Sequence, residues 1–541
     1  MSRRRIFFIG IGGSGMEPLA KFALQAGDAV AGSDSGIDDA RYAKLSDSGA
    51  RIFREHSGAN LDVLFAEDTK SDGGAISAGT RAGAGSASDS LPIVVYSSAI
   101  PPEHIERARA QEYAERGTVR LMHRMDFLND CFRERPEALC VAGTHGKTSS
   151  SSMAGWALLE SRLDPHIIVG GKPLYLADGV RFGAGRTGAC ETDESDGSFL
   201  KAAPALRLVL NVDRDHLEHY GDFANLCAAF ARFIAAGRLC VLNAADPQLR
   251  EIGAIFVPPV VGASRESSET SGAGGSSPQI FYYHAAGNPT IDESLQTPPE
   301  RTYVGRFDVH SDAMQVFVPG ESNAVGALQL KMPGRHFAGN ALGVFALIDA
   351  SVRQGLLEFT DYDPRRLLAA LCEFPGVERR MEYLGRRGGA NVFDDYGHHP
   401  TEIEAVLAAC RLRLGAAGKQ GRLLAVFQPH RYTRTAALYR EFARALGSAD
   451  RVYLLPLYSA GEAAQAGVDS RMIARELERE HSNKAGPAVT SFAETGQSRR
   501  EVLEQAFAEI FTEVRPDDLL MCLGAGDISA GIRAYIAATR E

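Results

Sequence analysis

Leu139-Cys140-Val141-Ala142-Gly143-Thr144-His145-Gly146-Lys147-Thr148 is the stretch on which the reading of this chain turns. Four apolar residues predict a buried strand, two glycines punctuate a turn, and the residues after Lys147 continue as a helix. In such a turn successive backbone N–H groups point inward and cradle phosphate oxygens, and the helix start adds its positive end. Lys147 supplies a cation at the terminal phosphates, and the Thr148 hydroxyl suits Mg2+. The common phosphate loop has a glycine five positions before its Gly-Lys pair, where this chain has Val141. A strand before, a helix after and Gly-Lys-Thr between them make a chance glycine turn the weaker explanation.

Upstream, Arg5 to Ile9 reads as a first strand, Gly10-Ile11-Gly12-Gly13-Ser14-Gly15 as its turn, and Met16, Leu19, Phe22, Ala23 and Ala26 as one helix face that Gly27 ends. Ala29 to Ser33 is a second strand, giving a βαβ start to a parallel sheet. Asp34 follows Gly15 at the spacing of an acidic group on a dinucleotide ribose, so a nicotinamide oxidoreductase is one reading. The turn itself demands only a diphosphate at a helix start, which a UDP-sugar provides equally well.

Downstream, Glu191-Thr192-Asp193-Glu194-Ser195-Asp196 follows a strand from Thr187 to Cys190. Its four carboxylates repel one another unless a divalent cation sits among them, and carboxylate oxygens suit Mg2+. Asn211-Val212-Asp213-Arg214-Asp215-His216 closes the next strand, Leu206 to Val212. Both clusters lie where α/β sheets bind ligands, at the carboxyl ends of strands. His216 is an unusual Mg2+ ligand on chemistry alone. Asp394 to Glu402 and Gln428 to Arg434 follow later strands, the second of them Leu423 to Phe427. Arg431 and Arg434 share a face if that segment is helical, and paired guanidiniums suit a carboxylate.

The 541 residues exceed what one core can serve, so several domains are expected. A net charge of −10, from 58 basic and 68 acidic residues, argues against a nucleic-acid surface but not against a small anionic ligand. No apolar run reaches membrane-spanning length, and the short stretch after Arg3-Arg4-Arg5 reads as a strand rather than a signal peptide. Eight scattered cysteines without a Cys-x-x-Cys pair predict reduced thiols and a cytoplasmic protein. Residues 71–90 and 262–299 are low-complexity insertions, the second containing Phe281-Tyr282-Tyr283 as a candidate short strand.

Taken in order, these segments resemble the Mur ligase family. The likeness also runs through Tyr96 to Ile100, Gly334-Arg335-His336 with Asn340, Gly376 to Glu382 and Leu523 to Ile528. It implies an α/β chain of three domains: an N-terminal Rossmann-like parallel sheet (1–136) for a UDP-sugar, a central P-loop ATPase domain (137–375), and a C-terminal Rossmann-like domain (376–541) that holds an amino acid and closes over ATP. It implies ATP-dependent ligation of L-alanine to UDP-N-acetylmuramate, with Mg2+ or Mn2+, in peptidoglycan synthesis. Addition of a preformed peptide to the same sugar nucleotide is the alternative. Gly10, Gly12, Gly13, Gly15, Asp34, Ser97 and Ser98 would hold the UDP-sugar. Gly143, Thr144, His145, Gly146, Lys147 and Thr148 would hold ATP, with His336 and Asn340 at adenine and Arg380 at the phosphates. Thr148, Glu191 and His216 would serve the metal, while Tyr396, His398, Arg431 and Arg434 frame L-alanine. Lys147, Glu191, His216 and His398 would be the catalytic set, with His398 or His399 taking the amine proton. The chain departs from relatives that carry a carbamylated lysine after the Asp-His motif, since no lysine occurs from His216 to Gly237. A non-catalytic nucleotide-binding regulator fits poorly with intact Lys147, Thr148, Glu191 and His216.

Overall fold

The computed structural model describes residues 3–65, 91–257, 277–286, 297–308, 313–416, 421–481, 486–493 and 498–539. The insertion at 71–90 lies outside them, as does most of 262–299. Three sheets organise an α/β fold. The chain packs as two compact units, Met1–Tyr282 with Gly343–Asp363 and Tyr283–Leu342 with Pro364–Glu541.

In the first unit, β1 (Arg5–Ile9), β2 (Ala29–Ser33), β3 (Arg51–Phe53), β4 (Ile93–Tyr96) and β5 (Arg120–His123) form an all-parallel sheet in the order β3-β2-β1-β4-β5. Helices α1 (Glu17–Gln25), α2 (Asp39–Asp47) and α3 (Ile105–Glu115) cross over between its strands, and α4 (Arg124–Phe132) follows β5. β1 is buried from Ile6 to Ile9, as a strand covered on both faces must be. α1 ends as its sequence predicts: Ala26 caps it and Gly27 turns left-handed at φ +86°.

The second sheet follows: β6 (Glu137–Ala142), α5 (Lys147–Glu160), β7 (His166–Ile168), β8 (Val180–Arg181), β9 (Thr187–Glu191), β10 (Leu206–Val209), α6 (Leu217–Tyr220), α7 (Phe223–Ala235), β11 (Leu239–Asn243), α8 (Pro247–Phe256) and β12 (Gln279–Ala286). Within the first unit its strands run β11-β10-β6-β9-β7-β8, parallel except at β7–β8. β6 lies at the centre and all six of its residues are buried. The first two sheets share one apolar core. Phe22 of α1 sets its ring against His166 at 4.9 Å and Phe182 at 5.4 Å, so the outer side of α1 is covered by the second sheet's edge.

The second unit contains β13 (Thr302–Phe307), β14 (Met314–Phe317) and β15 (Gly326–Leu328), paired antiparallel in succession. α9 (Arg335–Arg353) and α10 (Pro364–Cys372) come next in the chain. Then come β16 (Glu382–Arg387), β17 (Ala390–Asp395), α11 (Pro400–Ala416), β18 (Leu423–Phe427), α12 (Tyr432–Leu446), β19 (Arg451–Leu454), α13 (Arg471–His481), β20 (Ala488–Ser491), α14 (Arg499–Glu513), β21 (Leu519–Leu523) and α15 (Ile528–Ala538). Their sheet has the order β16-β17-β21-β18-β19-β20, parallel except for the β16–β17 hairpin. All five residues of β18 and of β21 are buried. No described helix is long and apolar enough to cross a membrane.

Candidate active site

Two glycine loops open at the carboxyl ends of β1 and β6, both in the first unit. At the first, Gly10 adopts φ +77° and donates to the Ser33 carbonyl at 2.7 Å, which turns the chain sharply off β1. The Gly13 N–H returns to the Gly10 carbonyl at 3.1 Å. Asp34 accepts from the Gly12 N–H and the Gly36 N–H, each at 2.9 Å, so its carboxylate braces the loop. A side chain at Gly15 would put its Cβ 2.8 Å from Arg124 Nη1, so glycine is what lets that guanidinium lie against the loop.

Arg124 reaches further. Its Nη2 donates to Asp196 at 2.9 Å and to Ser198 Oγ at 3.3 Å. Ser98 Oγ also donates to Asp196, at 2.8 Å, and lies 2.9 Å from His123 Nε2. Ser97, its neighbour, accepts the Ile100 N–H at 3.0 Å in the turn after β4. Burial works against the Asp196 charge, but the Ser198, Arg124 and Ser98 donors outweigh it and hold the carboxyl well below the usual range. The acidic turn after β9 is thereby fastened to the first sheet. The sequence reading singled out neither Arg124 nor Asp196 as a site residue; the signal for Asp196 was its place in the acidic cluster.

At the second loop, Gly143 (φ +137°) and Gly146 (φ +83°) supply the left-handed turns that lead from β6 into α5. The His145 N–H donates to Asn211 Oδ1 at 2.8 Å, and Thr144 Oγ1 accepts the Asp213 N–H at 2.9 Å, which pins the loop to the end of β10. His145 Nε2 lies 3.0 Å from Asp213 Oδ2. Lys147 Nζ donates to the carbonyls of Gly143 at 2.8 Å and Thr144 at 3.2 Å, and to Glu194 Oε2 at 2.8 Å. Burial disfavours its charge, but Glu194, Asp193 and Glu191 outweigh that and keep its pKa above the ordinary lysine value.

Glu191 is pushed the other way. Burial raises its pKa despite hydrogen bonds from Thr148 and the Gly170 N–H and the nearby Lys147. Ser151 Oγ donates to it at 3.4 Å. The expected metal residues Thr148 and Glu191 are therefore together. His216 sits at φ +56°, an uncommon conformation for a non-glycine residue, beside Asp193 and Glu194. Glu194, expected only as a member of the acidic cluster, is at the centre of this side. Oxygen donors from a hydroxyl and several carboxylates fit a hard divalent cation.

The second unit holds the other candidates. His398 Nδ1 lies 3.1 Å from the Tyr396 carbonyl, and its N–H donates to Glu402 at 3.0 Å. Burial pushes its pKa down to about 4, with Glu402 opposing and Arg434 assisting. The Tyr396 ring packs edge-on to His398 at 5.3 Å and has Arg379 over it at 4.7 Å and Arg380 at 5.2 Å. Arg380 lies 3.9 Å from Glu402. On α9, His336 and Asn340 are one helical turn apart; burial and Arg380 push His336 down to about 4. The condition for Arg431 and Arg434 to share a helical face, that both be helical, is not met. Arg431 is the residue before α12, at φ +71° and ψ 138°, and only Arg434 is helical. The Arg431 N–H donates to the Tyr458 carbonyl at 2.8 Å, and this bond together with the stacked ring of His430 on Tyr458 holds the extended turn. The Nε of Arg431 is buried without a hydrogen-bond partner.

Fold and site together define an α/β enzyme with two glycine loops at strand ends in one compact unit and a cationic, histidine-containing cluster in the other. Three family models match in order: the Mur ligase family catalytic domain over residues 5–135, the Mur ligase middle domain over 141–348, and the Mur ligase glutamate ligase domain over 379–526. The chain belongs to the Mur ligase family. It is 34% identical to a UDP-N-acetylmuramate–L-alanine ligase of Pelotomaculum thermopropionicum, over 98% of this chain and 96% of that one. It is 31% identical to the enzyme of the same name from Bdellovibrio bacteriovorus, over 97% of each. The crystal structure of the Thermotoga maritima UDP-N-acetylmuramate–alanine ligase superposes with a TM-score of 0.68 at 25% identity, covering 99% of this chain and 98% of that one. A murein peptide ligase from Psychrobacter arcticus shares the fold, with a TM-score of 0.61 at 19% identity over 99% and 98% of the two chains.

Proposed function

We propose an acyl-phosphate route for the reaction this chain carries out, the joining of L-alanine to the muramyl carboxylate of UDP-N-acetylmuramate. The observation that carries the route is the cluster at the start of α5: Lys147 on Glu194, with the Thr148–Glu191 pair beside it. A carboxylate and an ammonium do not condense in water. ATP phosphorylates the carboxylate, the alanine amine attacks the acyl phosphate, and phosphate leaves. Lys147 neutralises charge on the transferring phosphoryl group. Thr148, Glu191 and His216 are assigned to Mg2+, which when bound adds positive charge at the same oxygens. No nicotinamide chemistry is needed: Asp34 braces the glycine loop, and Gly10, Gly12, Gly13 and Gly15 with Ser97 and Ser98 are assigned to the UDP-sugar.

By family resemblance, His336 and Asn340 are assigned to adenine and Arg380 to the phosphates, while Tyr396, Arg431 and Arg434 are assigned to L-alanine. His398 is uncharged at neutral pH, and its Nδ1 contact with the Tyr396 carbonyl fits the tautomer that leaves Nε2 able to accept the amine proton. We place the domain boundaries at 136/137 and 375/376, and the enzyme in the cytoplasm, where peptidoglycan precursors are made; its eight cysteines are all free. Phosphate release measured with UDP-N-acetylmuramate and ATP, against each amino acid and a preformed peptide in turn, tests the reading. Release that requires L-alanine is expected. Release with the peptide alone would assign the chain to the peptide-adding reaction.

A further inference from the structure

Glu194 uses its two carboxylate oxygens differently. The side chain is 1% exposed, and Oε2 accepts from Lys147 at 2.8 Å. Oε1 is buried, has no hydrogen-bond partner, and lies 4.0 Å from His216 Nε2. Asp193, Glu194 and His216 each offer a ligand atom within 4.8 Å of the others. An ammonium has three protons, and those of Lys147 face the Gly143 and Thr144 carbonyls and Glu194. A phosphate that takes Lys147 must therefore displace one of these acceptors, and Glu194 is the one bearing charge. The carboxylate it displaces stays buried, which is costly unless another cation meets it.

We propose that Glu194 is an exchange residue. It gives up Lys147 to the nucleotide phosphates and, with Asp193 and His216, becomes a ligand of the divalent cation that accompanies the nucleotide. The proposal rests on Gly143 to Thr148 being the nucleotide loop. It makes Glu194 a competitor of the nucleotide when no metal is present and its helper when metal is present. A residue that merely supports the loop would weaken both conditions alike.

The test is ADP binding by calorimetry, once in EDTA and once with Mn2+, on the full-length protein and two variants. Glu194→Gln keeps the side chain's shape and removes its charge. Its metal-free ADP affinity is expected to rise about fivefold, and the gain in affinity on adding Mn2+ to shrink about tenfold. Asp193→Asn, which removes a nearby negative charge but no hydrogen bond to Lys147, is expected to lose part of the Mn2+ gain and to raise metal-free affinity by less than Glu194→Gln does. Equal or weaker metal-free binding by a folded Glu194→Gln variant, with the Mn2+ gain intact, overturns the exchange role while leaving the nucleotide loop standing. Absence of ADP binding by the unaltered protein overturns the loop assignment and the exchange role together.

Discussion

Lys147 is the residue whose removal separates chemistry from folding most directly. Lys147→Ala is expected to reduce phosphate release by about 100-fold or more, because no other described cation is shown bound within that loop. It also leaves Glu194 buried without its partner, so the melting temperature should fall while the circular-dichroism spectrum keeps its folded form. A folded variant with full turnover would remove the loop from the reaction. Arg431 and Arg434 set the other residue-level test. L-alanine offers a carboxylate, an amine that must stay reactive and a methyl worth about 1 kcal/mol of burial, so its carboxylate must supply most of the binding. Arg431→Lys or Arg434→Lys gives up the planar fork and should lower kcat/KM for alanine by roughly 5–150-fold, with ATP and UDP-sugar kinetics nearly unchanged. Loss of ATP affinity with alanine kinetics intact would move these arginines to the nucleotide. Lys147, Thr148 and Glu191 were legible because Gly-Lys-Thr and a carboxylate at a strand end are local patterns. Arg124 was not, because its partner lies 72 positions away, and of Glu194 the acidic cluster was legible but not the bond to Lys147, 47 positions away.

At the scale of elements, α5 depends on a glycine as much as the loop before it does. A Cβ on Gly155 would lie 2.8 Å from the Tyr175 hydroxyl and 3.0 Å from two side-chain carbons of Ile167 on β7. Gly155→Ala gains helix propensity, about 1 kcal/mol, but must push α5 off β7 at a cost of about 1–3 kcal/mol. A net fall in melting temperature is expected by calorimetry; a rise would show that α5 moves freely there. Most strands were readable from short apolar runs, and Arg5–Ile9, Ala29–Ser33 and Leu423–Phe427 fall where the sequence places them. β10 ends at Val209, three residues before the apolar pattern does. Leu210 and Val212 stay buried, but beyond Leu210 the backbone turns to side-chain partners: the Val212 N–H to Asp246 at 2.8 Å and the Asp213 N–H to Thr144 at 2.9 Å. Hydropathy records burial, not which group satisfies an N–H. The same limit hid the extended conformation of Arg431, whose i, i+3 spacing to Arg434 looked helical.

For the molecule as a whole, buried and half-buried histidines set the acid limit. Burial pushes His166, His336, His398 and His430 each down to about 4. An unfolded histidine titrates near 6.5, so between these values the unfolded chain binds more protons. Stability is then full above about pH 6.5 and falls as pH drops toward 4, by about 1.4 kcal/mol per pH unit for each net proton. Asp395, pushed up to about 6 by burial, works in the opposite direction, as do Glu191, Asp246 and Asp394, while His104 and His123, also lowered by burial, add to the decline. Melting temperatures across pH 4–8 should show this decline, and a flat profile would mean these rings are already solvated. A different consequence follows from the Phe22, His166 and Phe182 contact and the core shared by the first two sheets. The first sheet is a recognisable module in the sequence but not a transplantable one. A chimera that joins residues 1–136 to another relative's middle region must carry over the ring-lined edge of β7 and β8 as well, or leave α1 with an apolar face in water.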